Sequence, residues 1–357
     1  MLTNPWFYKQ NQKLGDDFKF LDLDLGFLNQ LKKHAYCLIN CAISDANPVP
    51  DGYDLYVFSW FFEPFVDVWF LDIYQKNPQA EFVIITDLEP NALARLPRVQ
   101  VFNSNTHTTW INAIRSQNSG PDNSNLSDRK YKLSSLSSRL SEYKFFITAK
   151  LLESQSAEVF YSWNRGFAIR DKDSWVFEQS GHQQIDSLLA HSEYLKNNTI
   201  NLEKFENNPL SNCQFQHSAY NDSIINAINE SQNISETPEL GTLPLALITE
   251  KTWKPLFAGN ALLFTGQATV KKKLENWGFK FDYPWAQGYD DNVRDNQRLE
   301  VILSHITWIL SLPKSTLIDL CEENVQHNVE LAWSGKLESQ FRTVNERCVE
   351  DLQRYFQ

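Results

Sequence analysis

The chain has 357 residues, 42% hydrophobic and 13% aromatic, a composition that excludes a disordered protein. Its 33 basic and 44 acidic residues leave a formal charge of −11, so it carries no general cationic surplus for nucleic acid. At this length two domains are expected, and no apolar run reaches the length of a membrane span.

The start of the chain, Met1-Leu2-Thr3-Asn4-Pro5, has no basic region leading into an apolar one, and a cytoplasmic location is expected. Cysteines at 37, 41, 213, 321 and 348 lack paired CxxC spacing, which argues against a disulfide framework and a zinc site. Ala35 to Ile43 and Asp54 to Phe62 read as buried strands, Val66 to Gln75 as a helix, and Glu81 to Thr86 and Val99 to Asn103 as further strands. This alternation predicts a parallel α/β sheet, and no glycine fingerprint marks it as a standard dinucleotide-binding unit. The polar stretch Ser116 to Lys130 predicts a linker. It divides the chain into residues 1–122 and residues 123–357.

Beyond it, Lys132 to Ser138 reads as a strand, Leu140 to Glu153 as a helix and Glu158 to Trp163 as a strand. The polar section from Ile169 to Leu240 reads as irregular and loop-rich with some helix. Order returns with a strand before Glu250, a helix to Gly259, a strand from Ala261 to Thr265 and a helix from Val270 to Trp277. Amphipathic helices from Asp295 to Leu310 and from Ser315 to Tyr355 close the chain.

The segment richest in chemistry is Ile248-Thr249-Glu250-Lys251-Thr252-Trp253-Lys254-Pro255, followed by an apolar run to Gly266. Such a turn can hold a nucleotide: the carboxylate takes ribose hydroxyls, while the lysine and free N–H groups of the turn take phosphate charge. The plainer alternative is an ordinary helix start with an exposed Glu-Lys pair. Pro255 predicts that a helix begins or kinks there.

Thr249-Glu250-Lys251, Lys254-Pro255, Gly259 and Leu262-Leu263-Phe264-Thr265-Gly266 resemble the C-terminal nucleotide-sugar motif of fucosyltransferase-like glycosyltransferases of the GT-B type. The Thr-Glu-Lys-Thr-Trp-Lys-Pro variant is similar to a group common in bacteriophages and bacterial polysaccharide loci. The likeness continues through Leu274 to Phe281, Tyr289-Asp290-Asp291 and Arg298; it is loose over residues 131–170 and absent from the first 120. It implies a GT-B-like α/β fold: two Rossmann-like α/β domains facing a cleft, with closing C-terminal helices. The donor would lie in the C-terminal domain and the acceptor mainly in the N-terminal one.

The resemblance further implies that Glu250 binds the donor ribose and Lys251 the diphosphate, with Thr249 capping the turn and Lys254 as a second phosphate ligand. Related sequences often carry Asn-Arg-Arg where this chain has Ser137-Ser138-Arg139. Arg139 would stabilise the leaving diphosphate, and Lys144 falls where another basic residue is usual. Tyr289 and Asp290 would face the sugar. The base should lie at the carboxyl end of an N-domain strand, where Glu63 and Asp87 stand, with Asp67 a turn further on; each carboxylate could equally cap a helix.

Other features read as structural. Asp22-Leu23-Asp24 alternates as an amphipathic segment, not a cation site, and no metal or cofactor beyond the nucleoside-diphosphate sugar donor is expected. His327, beside Asn328, fits a packing role, Lys271-Lys272-Lys273 a solvated helix face, and Arg129-Lys130 with Lys132 the border of an anionic ligand. No hydrolase, Walker or kinase signature is present. The expected activity is an inverting, metal-independent glycosyltransferase moving a hexose or pentose to a glycan or lipid-linked saccharide. The alternatives are a phage-type enzyme acting on hydroxymethylated bases of DNA, with a flipped base held by a groove near Arg129 to Lys132, and a non-catalytic binder of sugar nucleotides or glycans.

Overall fold

The computed structural model describes residues 36–40, 52–59, 65–86, 96–105, 107–120, 125–137, 142–163, 187–200, 218–229, 236–237, 241–242, 248–266, 269–288 and 295–357. They form two compact units, with the chain changing unit after Ile111, Ser235, Leu245 and Gly335.

In the first unit β1 (Tyr36–Asn40), β2 (Leu55–Ser59), helix α1 (Phe65–Lys76), β3 (Glu81–Thr86) and β4 (Val99–Asn103) follow in order. The strands pair in the order β1-β2-β3-β4, every pair parallel. β3 is buried from Phe82 to Thr86, as expected of a strand covered on both faces. Tyr56 stacks on Phe82 with ring centroids 5.3 Å apart, and Phe70 of α1 meets Phe82 edge-on at 5.6 Å. Asn77 closes α1. Its Nδ2 donates to the Ile73 carbonyl, and its Oδ1 accepts from Gly52 N and the Tyr56 hydroxyl. Helix α2 (His107–Gln117) carries the chain across the first unit boundary.

The second unit contains β5 (Tyr131–Ser137), α3 (Glu142–Ser154), β6 (Val159–Trp163), β7 (Ser223–Ile228), α4 (Glu250–Phe257), β8 (Ala261–Phe264), α5 (Val270–Asn276), α6 (Asp295–Ser311) and α7 (Lys314–Trp333). Its four described strands pair in parallel in the order β8-β7-β5-β6. The sequence reading of 169–240 as irregular missed β7, a fully buried strand paired on both sides. Its polar Asn226 hides the strand pattern, and a tertiary partner resolves it: Asn226 Nδ2 donates to the Ser134 hydroxyl of β5 at 2.8 Å.

The expected linker also reads differently. α2 extends to Gln117, Asn125 caps a 3₁₀ turn over Leu126–Asp128, and Arg129 is buried at 2% exposure. The breaker-rich composition there encodes a capped turn packed into the second unit.

α7 ends at Ser334-Gly335, where Gly335 adopts φ +79°, a conformation that costs glycine least. The last helix, α8 (Lys336–Phe356), belongs to the first unit. Asn345 accepts from Asn105 N at 2.6 Å and donates to Asn105 O at 3.0 Å, and Tyr355 donates to Glu81 at 3.2 Å. The sequence reading placed this helix with residues 123–357. Among the described residues no single helix is long and apolar enough to cross a membrane.

Candidate functional site

The second sheet supplies a topological switch point. The chain leaves β5 for β6 on one side and later returns to build β7 on the other. In open α/β sheets such a reversal opens a crevice at the carboxyl ends of the two strands. The first unit's described strands run in simple sequence and contain no such reversal.

Two helix starts belong to this carboxyl edge. α3 follows β5 after four residues, so its first turn, including Lys144, lies there. α4 packs on β7 and β8, and its C-terminal end lies near the start of β7, since Arg129 reaches both Ala258 and Ser223. Arg129 ties the two together, donating from Nη1 to Ser223 O at 2.7 Å and from Nη2 to Ala258 O at 2.8 Å. The N-terminus of α4, about 12 Å away at 1.5 Å per residue, therefore points to the carboxyl edge.

Thr249 caps α4, with its hydroxyl accepting from Lys251 N at 3.3 Å and its carbonyl from Thr252 N and Trp253 N. Three N–H groups of the turn, those of Lys251, Thr252 and Trp253, are thus engaged by Thr249. The charges that remain are side chains. Lys251 Nζ lies 3.2 Å from Glu250 Oε1 and 3.4 Å from the Thr249 hydroxyl. Burial pushes the Glu250 carboxyl up, but the charges of Lys251 and Lys254 and hydrogen bonds from Lys251 and Thr249 outweigh it and hold the group below the usual carboxylate value. Lys254 stands four residues on from Glu250, the spacing of a helical ion pair, and is itself buried. One carboxylate beside two ammonium groups leaves a local excess of positive charge.

The rest of the motif is core. Trp253 is fully buried, stacked on Trp277 at 5.8 Å and 11° and edge-on to Phe257 and Phe279. Pro255 lies inside α4, which begins five residues before it, so the proline does not start the helix. Gly259 adopts φ +73° between the end of α4 and β8, and a Cβ there would meet Val329 Cγ2 at 3.2 Å and Arg129 Nη2 at 3.4 Å.

Of the expected site residues, Thr249, Glu250 and Lys251 come together at the start of α4 with Lys254 one turn on, and Lys144 is buried in the first turn of α3. Glu63, Asp87, Arg139, Tyr289, Asp290 and Asp291 lie outside the described residues, as do Asp22 and Asp24; Asp67 lies in α1. Of the anion border expected at Arg129 to Lys132, only Lys130 is exposed. Arg129 and Lys132 are buried; Lys132 pairs with Glu158 at 2.6 Å, and the Arg129 carbonyl accepts from Lys314. In the lysine run only Lys272 is exposed: Lys271 pairs with Glu275 at 2.9 Å and Lys273 lies over the Trp277 ring. Asn328 bonds both backbone groups of Lys280, and His327 Nε2 lies 2.8 Å from Gly278 O, in line with the packing role expected of His327. Arg298 is fully buried over Tyr143. Cys321 and Cys348 are free, buried thiols pushed up to about 12, chiefly by burial. Among the described residues no group of three or more His, Cys, Asp or Glu side chains is placed to hold a metal ion.

Sequence reasoning missed Asn229, just beyond β7. Its Nδ2 reaches Ser135 Oγ at 2.7 Å, Leu136 O at 3.1 Å and Ser137 Oγ at 3.1 Å, while its Oδ1 lies 3.1 Å from the Thr265 hydroxyl. Three serines, Ser134, Ser135 and Ser137, in a buried strand were the available signal, since such strands are usually apolar throughout. No family model, curated protein or solved structure matches this chain.

Proposed function

We propose that the protein is a glycosyltransferase that moves a sugar from a nucleoside-diphosphate donor to an acceptor hydroxyl, built as a GT-B-type pair of α/β domains. The observation that carries this reading is the Glu250 carboxylate on the first turn of α4, beside Lys251 and within the field of Lys254 one turn on, at the carboxyl edge of a sheet with a switch point. A ligand that joins neutral vicinal hydroxyls to an anionic diphosphate matches that pairing of charges. The likeness of Thr249 to Gly266 to the nucleotide-sugar motif adds the sugar.

In this reading Glu250 accepts hydrogen bonds from the ribose, and Lys251, with Arg139 and Lys144, stabilises the diphosphate. The acceptor oxygen attacks the anomeric carbon, the bond from that carbon to the diphosphate oxygen breaks, and the acceptor proton passes to a carboxylate, with Glu63 and Asp87 as the candidates. Tyr289 and Asp290 face the sugar, and the diphosphate leaves without a metal ion. A glycan or lipid-linked saccharide is the favoured acceptor, because a formal charge of −11 fits it better than it fits DNA, and Arg129 and Lys132 are engaged by carbonyls and by Glu158 within the second unit.

The test is calorimetric titration with UDP, GDP, ADP, CMP and their common sugar conjugates, with and without Mg²⁺. One nucleotide should bind, and Lys251→Ala should weaken it at least about tenfold, the value of a hydrogen bond to a charged group. Unchanged binding and turnover in Lys251→Ala would overturn the reading. Donor binding without transfer or hydrolysis would make the protein a sugar-nucleotide binder.

A further inference from the structure

β5 and β7 are central parallel strands, yet they and the residues beyond them carry Ser134, Ser135, Ser137, Asn226 and Asn229, all buried. Polar groups at such positions depart from the apolar rule for parallel sheets, and departures of this kind mark strained or functional places. Ser134 and Asn226 have a local explanation, since both bond the Ala219 carbonyl. The second group does not close on itself in that way.

Asn229 spans the carboxyl ends of three strands. It donates to Ser135, Leu136 and Ser137 of β5, follows β7 directly, and meets Thr265 just beyond β8. Thr265 in turn donates to the Ile228 carbonyl. An amide nitrogen has two hydrogens, so the Asn229 amide is shared among three acceptors. Because the Ser137 oxygen accepts from Asn229, its own hydroxyl hydrogen must be directed elsewhere. Among the described residues no group accepts it: the Ser137 backbone N–H goes to Ser162 Oγ at 3.3 Å, and the hydroxyl has only the bond from Asn229. Ser137 is the last residue of β5, at the switch point.

We propose that Asn229 is a positioning residue that fixes the carboxyl ends of β5, β7 and β8 and turns the Ser137 hydroxyl into a hydrogen-bond donor for an anionic oxygen of the bound ligand. This rests on the nucleoside-diphosphate reading, in which that oxygen belongs to the diphosphate.

The test is titration of wild type, Ser137→Ala, Asn229→Ala and Asn77→Ala with the nucleoside diphosphate that wild type binds and, separately, with inorganic pyrophosphate, alongside melting of the free proteins. Asn77→Ala serves as the control, because it removes a comparable three-bond amide far from the switch point in sequence. Ser137→Ala should melt like wild type and bind both ligands roughly tenfold or more weakly, since alanine fits the space and only a donor to a charged acceptor is lost. Asn229→Ala should lose both melting temperature and affinity, and Asn77→Ala melting temperature alone. Wild-type affinity in Ser137→Ala, or affinity falling in Asn77→Ala as much as in Asn229→Ala, would overturn the proposal. If wild type bound pyrophosphate in a Ser137-dependent way but no nucleotide, the glycosyl-donor reading would fail while the role of Ser137 stood. If wild type bound neither, both would fall.

Discussion

Replacing Arg129 by methionine separates two opposed roles for that side chain. A surface arginine bordering an anion would cost little stability when removed and would weaken anion binding. The buried arginine seen here joins the carbonyl of Ser223, at the start of β7, to that of Ala258, at the C-terminus of α4, where a cation also meets the negative end of the helix. Methionine fills much of the same space but leaves both carbonyls without that donor. Each bond from a charged donor contributes about 1.5–3 kcal/mol, and part of this is offset because the guanidinium no longer has to be desolvated. A net loss of about 3 kcal/mol is expected, equivalent to a drop of roughly 6–12 °C for a unit of this size. Scanning calorimetry of ligand-free wild type, Arg129→Met and Lys130→Met measures it. The last variant alters an exposed neighbour and should melt within about a degree of wild type. Wild-type melting in Arg129→Met, together with lost binding of duplex DNA or pyrophosphate, would refute the structural role.

Gly259→Ala should destabilise by about 1–2 kcal/mol in urea unfolding, because its φ of +73° disfavours any side chain and the new Cβ would crowd Val329 at 3.2 Å. Trp253→Ala should cost about 3–5 kcal/mol by the same assay, with nucleotide affinity retained at temperatures where the variant stays folded, since the indole is core. Glu250 has a depressed folded-state pKa, so it contributes stability above the ordinary carboxyl value of 4.5 and loses it as pH falls through the folded pKa. The melting difference between wild type and Glu250→Gln should therefore hold steady near neutral pH and narrow progressively below about pH 4.5, most of the change falling under that value. A difference that stayed constant from pH 7 to pH 3 would contradict the assigned ion pair.

Where a segment's own pattern decides its state, the sequence was sufficient. Glu81–Thr86 and Val99–Asn103 are strands with the expected bounds, and the helices from Phe65, Val270 and Asp295 follow from their apolar spacing and breakers. Thr249 as a cap before Glu250 and Lys251 was legible for the same reason: capping is a matter of a few adjacent residues.

Tertiary structure alone decided the rest. Arg129 could be a surface cation or a buried clasp, and only the carbonyls of Ser223 and Ala258, 94 and 129 residues away, make it the latter. The final helix joins the first unit through Asn105, 240 residues from Asn345. β7 escaped because an asparagine inside a strand is unfavourable until a distant serine accepts its hydrogen bond, and with β7 went the switch point itself. Local composition fixes which residues can form a strand or a cap. The desolvation of buried polar groups such as Arg129, Asn226 and Asn229 is compensated by partners brought from elsewhere in the chain, so those are the positions that sequence leaves undetermined.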